Sequence, residues 1–156
     1  QAIGLGGVRF GDLSNDRIKD IEFDWNKVMD FAGETASYVQ YSHARICSIL
    51  RKAPPLEEEK MGSVIGLLKE DEEAALLKLL SSLPEKVLLA AEGYRPSIIA
   101  RYLLEVAREF NRFYHRCPVL TSESQLQTAR LLLIAGTRQV LANGLRLLGI
   151  DAPEEM

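Results

Sequence analysis

The sequence predicts an all-α protein, a helical bundle of about five helices with a short mixed N-terminal edge. Three observations carry this prediction. Apolar residues recur at three- and four-residue steps through most of the chain after residue 33. Proline, serine and glycine fall where such helices would begin and end. The composition, 47% hydrophobic and 26% charged over 156 residues, is that of a globular chain long enough to bury a core.

The first thirty residues stand apart. Ala2 to Leu13 is apolar but holds Gly4, Gly6, Gly7 and Gly11. Each glycine inside a helix costs about 1 kcal/mol relative to alanine. Ile18 to Trp25 alternates in strand fashion through Ile21, Phe23 and Trp25. Residues 1–31 are therefore expected to be the seam of a preceding domain. A start at Gln1 without methionine suggests a piece of something longer.

From Gly33 to Leu50 one helix is expected. Val39, His43, Ile46 and Leu50 lie at i, i+4, i+7 and i+11 and form its buried stripe. Tyr38, Tyr41, Arg45, Ser48 and Lys52 cluster within about 80° of one another, nearly opposite. Pro54-Pro55 and the acids that follow make a connector or a weak helix. Asp71 to Leu80 is the next helix, with acids in its first turn, where the helix dipole favours them. A shorter one runs from Glu85 to about Glu92, opened by Ser82-Leu-Pro and closed by Gly93. Ile98, Ile99, Tyr102, Leu103, Val106, Phe110 and Phe113 mark a long amphipathic helix over 97–116. Pro96 and Ser97 start it and Pro118 stops it. Leu126, Leu133, Val140 and Leu147 fall seven apart along a last long helix from about Ser122, ended by Gly149.

Composition narrows the function. No run of about 18 apolar residues is present, so no transmembrane helix is expected, and no signal peptide is visible. Cys47 and Cys117 show no paired spacing, which suggests free thiols in a reducing compartment, hence the cytoplasm. His115 and Cys117 have no neighbours to complete a zinc site. Gly4-x-Gly6-Gly7 lacks the GK[ST] of a phosphate loop, and its plain reading is close backbone packing. No serine, histidine and acid suggest a triad. On chemistry alone the chain is not a complete enzyme.

Charge is segregated despite a net of only −3. Residues 54–73 carry seven acids against Lys60 and Lys69, most simply a solvated connector. Residues 95–116 carry five arginines against Glu105 and Glu109. Residues 126–150 add Arg130, Arg138 and Arg146 with no acid, so an acidic protein can still present a basic face. Tyr38, Tyr41 and Arg45 then admit two readings. Both rings pack against a neighbouring helix with their hydroxyls wet, or unstacked RNA bases lie on the rings while cations meet phosphates. Tyr114, at the margin of its helix's apolar stripe beside Asn111, poses the same choice. Arg101, Arg108 and Arg112 lie on that helix's outer face. Arg101 and Glu105 are spaced to pair at i,i+4. His115 belongs to its polar face.

The residues themselves are also familiar. FDWNKVMDFAGETASYVQYSHARICSILRKA (23–53) resembles the junction between the catalytic and anticodon-binding domains of arginyl-tRNA synthetases. ARYLLEVAREFNRFYHRCPVL (100–120) is similar to that second domain's central helix, and ARLLLIAGTRQVLANGLRLLGIDAPEEM (129–156) to its last helix and tail. GLGGVRFGDLSNDRIKDIEFDW (4–25) is similar to the end of the catalytic side. The likeness covers nearly the whole chain and is thinnest over 54–95. One position departs: Ala36-Ser37 stands where many members have glycine or alanine followed by proline.

The resemblance implies a division into 1–31, the catalytic edge, and 32–156, a helical anticodon-binding domain of the DALR type. It implies a parent enzyme that joins arginine to tRNA(Arg) with ATP and Mg2+. The signatures that hold ATP in that family are absent, so this chain would bind no cofactor and charge no tRNA by itself. Its partners would be tRNA(Arg) and the upstream catalytic domain, in a cytoplasmic monomer with no membrane contact. Carried onto this sequence, the anticodon-binding residues are Tyr38, Tyr41, Arg45, Tyr114 and Met156, with Asn111 and His43 as weaker candidates. A free-standing DALR-type adaptor that presents tRNA to another enzyme is the alternative. A helical protein–protein interaction bundle is the plainest one.

Overall fold

A computed structural model describes residues 2–15, 33–55 and 64–156. The strand-like alternation of 18–25 lies outside them, as do Glu57, Glu58 and Glu59 of the acidic stretch. The described elements are α1 (Ala2–Leu13), α2 (Ala36–Lys52), a 3-10 turn (Ile65–Leu67), α3 (Asp71–Ser81), α4 (Leu83–Glu92), α5 (Ser97–Arg116) and α6 (Ser124–Leu147). No strand occurs among the described residues.

Helix α5 is the axis of the bundle and packs against α1, α2, α3, α4 and α6. Its sequence explains this. Tyr102, Leu103, Val106, Phe110 and Phe113 are all buried, and they share the core with Val39 and Ile46 of α2, Leu76 of α3, and Leu141 and Leu145 of α6. Each such side chain contributes about 1.5–3 kcal/mol when fully buried. Tyr102 keeps its hydroxyl satisfied by donating to the Leu79 carbonyl at 3.1 Å. Burial pushes its phenol up to about 12.

The apolar line of α6 is less regular than a seven-residue spacing suggests. Leu133 is buried, Leu126 and Val140 are half-buried, and Leu147 is exposed. The helix packs tightly on α5 at Gly144, where a Cβ would sit 2.4 Å from Leu103 Cδ2. Gly149, at φ +68°, ends the helix as expected. The Ile150 N–H reaches back to the Leu145 carbonyl at 2.9 Å and the Gly149 N–H to Arg146 at 3.0 Å.

Three sequence expectations need correction. The glycine-rich stretch, whose glycines weigh against a helix, is one: Ala2–Leu13 forms α1. Gly6 lets α1 approach α2 and the last turn: its missing Cβ would lie 3.0 Å from Gln40 Nε2 and 3.1 Å from Ile150 Cγ2. Tertiary packing outweighs helix propensity there. Arg130 is not part of a basic face. It is buried, its Nε donates to Glu73 Oε1 at 2.6 Å, and its Nη1 donates to the Pro118 carbonyl and Ser122 Oγ. Glu73 in turn is a buried residue rather than a solvated acid, and its Oε2 also accepts the Glu70 N–H at 3.0 Å. One carboxylate therefore caps α3 and ties it to α6.

Helix α2 starts without proline. Thr35 is extended and its Oγ1 accepts the Tyr38 N–H at 3.3 Å, so the Ala36-Ser37 departure leaves a capped helix. The helix is buried on more than its apolar stripe, because Ser37, Gln40, Ser42 and Ala44 are covered as well as Val39, His43 and Ile46. Leu50 is half-buried.

Candidate nucleic-acid interface

The face of α2 that carries Tyr41, Arg45, Ser48 and Lys52 forms one wall of a groove of about 520 Å3. That is the size of sites that hold small ligands. Tyr114 and Leu120, from the end of α5 and just after it, form a second wall. Glu154, Glu155 and Met156 of the C-terminal tail form a third. Tyr41 is 41% exposed, Tyr114 38% and Met156 45%. Each is thus partly embedded and partly open to solvent.

Arg45 organises this groove. Its guanidinium carbon lies 4.8 Å from the centroid of the Tyr41 ring and 5.4 Å from that of Tyr114, within cation–π range of both. Its Nη2 donates to Tyr41 Oη at 2.9 Å, and its Nη1 donates to Asn111 Oδ1 at 3.3 Å. Tyr114 is fixed from below by Phe110, with ring centroids 6.0 Å apart. The result is two phenol rings and one guanidinium in a continuous aromatic and cationic surface.

Tyr38 and Asn111 sit beside this surface and do not line the groove. Tyr38 is half-buried against the core and its Oη accepts from Asn111 Nδ2 at 2.9 Å. Asn111 also donates to the Ala107 carbonyl at 3.0 Å and to Ser42 Oγ at 3.4 Å. Spacing on α2 alone groups Tyr38 with Tyr41 and Arg45, whereas the fold assigns it to the inner layer.

Met156 reaches the groove because α2 holds the tail by its backbone. Gln40 Nε2 donates to the Asp151 carbonyl at 2.8 Å, and Arg51 Nη2 to the Glu154 carbonyl at 3.5 Å. His43 Nδ1 donates to the Pro153 carbonyl at 2.8 Å. His43 is therefore a buried fastener, and burial pulls its imidazole below the ordinary value of 6.5. Arg51 also pairs with Glu155 at 3.1 Å, an exposed contact of small energetic weight. Arg51, Leu120, Glu154 and Glu155 are groove residues that sequence reasoning missed. They stand in a helix end, a loop and the tail, where periodicity carries no signal.

Three arginines of α5 are engaged in ion pairs. Arg108 pairs with Glu34, Arg112 with Glu109 at 2.9 Å, and Arg116 with Glu72 at 3.4 Å. His115 is exposed, and its ring meets Tyr114 edge-on at 6.2 Å. Cys47 and Cys117 are buried free thiols, both held above the ordinary value by burial. Among the described residues no group of three His, Cys, Asp or Glu side chains could hold a metal ion, and no helix is long and apolar enough to cross a membrane.

The profile of the DALR anticodon binding domain family matches residues 39–156. Among curated proteins, the chain is 43% identical over 155 residues to an arginine–tRNA ligase of Clostridioides difficile, covering 99% of the chain and 27% of that protein. It is 46% identical over 157 residues to the arginine–tRNA ligase of Clostridium perfringens, with the same coverages. The structure of Thermus thermophilus arginyl-tRNA synthetase superposes with a TM-score of 0.92 at 38% identity, over 99% of this chain and 27% of that one. A Plasmodium falciparum arginyl-tRNA synthetase, 23% identical, shares the fold with a TM-score of 0.88. The chain thus spans about a quarter of the length of these relatives. With the profile running from near the start of α2 to the tail that closes the groove, the chain belongs to the DALR anticodon-binding domain family.

Proposed function

We propose that this chain is the anticodon-binding portion of an arginine–tRNA ligase, and that its groove receives unstacked bases of the tRNA(Arg) anticodon loop. One observation carries the reading. Tyr41 and Arg45 of α2, Tyr114 of α5 and Met156 of the tail, far apart in sequence, line a single groove. Half-exposed phenol rings offer stacking faces, and Arg45, Arg51 and Lys52 offer cations to the loop's phosphates. The tail supplies an apolar edge at Met156 and hydrogen-bond acceptors at Glu154 and Glu155.

The role of this chain's residues is recognition without bond making. Stacking on Tyr41 and Tyr114 compensates the loop for unstacking its own bases. The cations set the register of the backbone. The chemistry of joining arginine to tRNA, with ATP and Mg2+, would fall to a preceding catalytic portion that the resemblance of residues 4–25 suggests. The chain alone is expected to aminoacylate nothing. The reading includes a cytoplasmic monomer with tRNA(Arg) as its nucleic-acid partner.

The test is a titration of a tRNA(Arg) anticodon stem–loop against the 156-residue chain. Tyr41→Ala and Tyr114→Ala should each weaken binding about 10-fold, since one base–aromatic stack is worth roughly 1–3 kcal/mol. Affinity should fall steeply with added salt through counterion release. Unchanged affinity in both variants would mean that the rings are packing residues.

A further inference from the structure

We propose that Asn111 is a positioning residue that holds Arg45 and Tyr38 in place for the groove, rather than a residue that touches RNA itself. The proposal rests on the reading of the groove as an RNA site. Asn111 does not line the groove, and its amide is spent on the protein.

The orientation of that amide follows from its partners. The Ala107 carbonyl can only accept, so the NH2 end must face it. The Arg45 guanidinium can only donate, so the Oδ1 end must face Arg45. With the amide so set, the second Nδ2 proton goes mainly to Tyr38 Oη at 2.9 Å, with Ser42 Oγ a longer partner at 3.4 Å. The Tyr38 hydroxyl is thereby made an acceptor towards the core. One amide thus links α5 to two successive turns of α2, and its backbone anchor at Ala107 is rigid.

Arginine is among the side chains with the most rotamer freedom to lose on ordering. A guanidinium held within cation–π range of both Tyr41 and Tyr114 in the free protein has already lost that freedom. Prior ordering of this kind raises affinity by lowering the ordering cost of binding. Tyr41 cannot supply it alone, because its own ring is 41% exposed and its hydroxyl shares the same contact. Asn111 is the partner of Arg45 that is fixed from below.

The experiment has two arms, both on the 156-residue chain. In the first, NMR reads the Arg45 side-chain Nε–H, which the ring currents of Tyr41 and Tyr114 displace from its free-arginine position. Asn111→Ala should return that signal towards the free position. Asn111→Asp keeps an acceptor for Arg45 and should preserve the displacement. In the second, the tRNA(Arg) anticodon stem–loop is titrated. Asn111→Ala should weaken binding about 3- to 10-fold, as the loss of one or two hydrogen bonds implies. It should weaken it less than 2-fold in an Arg45→Ala background.

An Arg45 signal unmoved by Asn111→Ala overturns the proposal. So do losses that multiply in the double variant, which would make Asn111 a direct RNA contact. If Asn111→Ala does not fold, Asn111→Asp alone decides, since a lost Arg45 displacement there also overturns it. Failure of the unmodified chain to bind the stem–loop would sink the RNA reading and leave the NMR arm to judge the placement of Arg45.

Discussion

His43 donates from Nδ1 to the Pro153 carbonyl, which leaves Nε2 as the only site for a second proton. Burial is the main force that keeps the proton off, and nearby Arg138 adds to it. The Pro153 carbonyl and Glu154 oppose it less strongly. The folded pKa is therefore below 6.5, so the unfolded chain takes up the proton first and acid favours unfolding. Stability is fully present above about 6.5 and is lost as pH falls towards the lowered value. Thermal unfolding followed from pH 7.5 to 5 should show a falling midpoint. His43→Gln, which keeps a donor but no titration, should flatten that fall. The sequence marks His43 correctly as part of the buried stripe. It cannot show the carbonyl that fixes it, because a backbone partner 110 residues away leaves no trace in spacing. Tyr38 illustrates the same limit: helical angle groups it with Tyr41, and only the neighbour Asn111 separates them.

Helix boundaries were the most legible feature, because caps and stops are local. Ser97–Arg116 and the Gly93 and Gly149 ends lie where proline, serine and glycine put them. What the sequence hides is how helices lean on one another. Gly136 and Gly144 look alike in α6, yet only Gly144 faces a packed neighbour. Gly136→Ala, whose Cβ would meet only Leu80 Cδ1 at 3.9 Å, should stabilise the fold by about 0.5–1 kcal/mol. Gly144→Ala forces Leu103 to move in a filled core, an overpacking cost of about 1–3 kcal/mol, which more than offsets the same propensity gain. Denaturant midpoints of the two variants should move in opposite directions. The buried Arg130–Glu73 pair is the other hidden contact. Glu73→Ala takes the carboxylate away from a buried guanidinium and unties α3 from α6, so about 3–5 kcal/mol should be lost. Charge counting places these two residues in opposite surface patches. Folding pairs them because neither can be buried alone.

At the scale of the molecule, the groove is built from the two distant ends of the DALR region. One wall is α2, laid down early, and another is the tail, which ends at Met156. The three backbone contacts that seat the tail join residues 103 to 111 positions apart. Such pairings are slow to form, because a long loop must close before they yield any stabilisation. During synthesis on the ribosome the order is stricter still. Helices α1 to α5 can begin to pack as they emerge, but Gln40, His43 and Arg51 have nothing to grasp until residues 151–154 leave the exit tunnel. A nascent chain can therefore own a nearly complete bundle and still present no finished cleft. On the proposed reading of the groove, RNA could be taken up only after residues 151–154 have emerged.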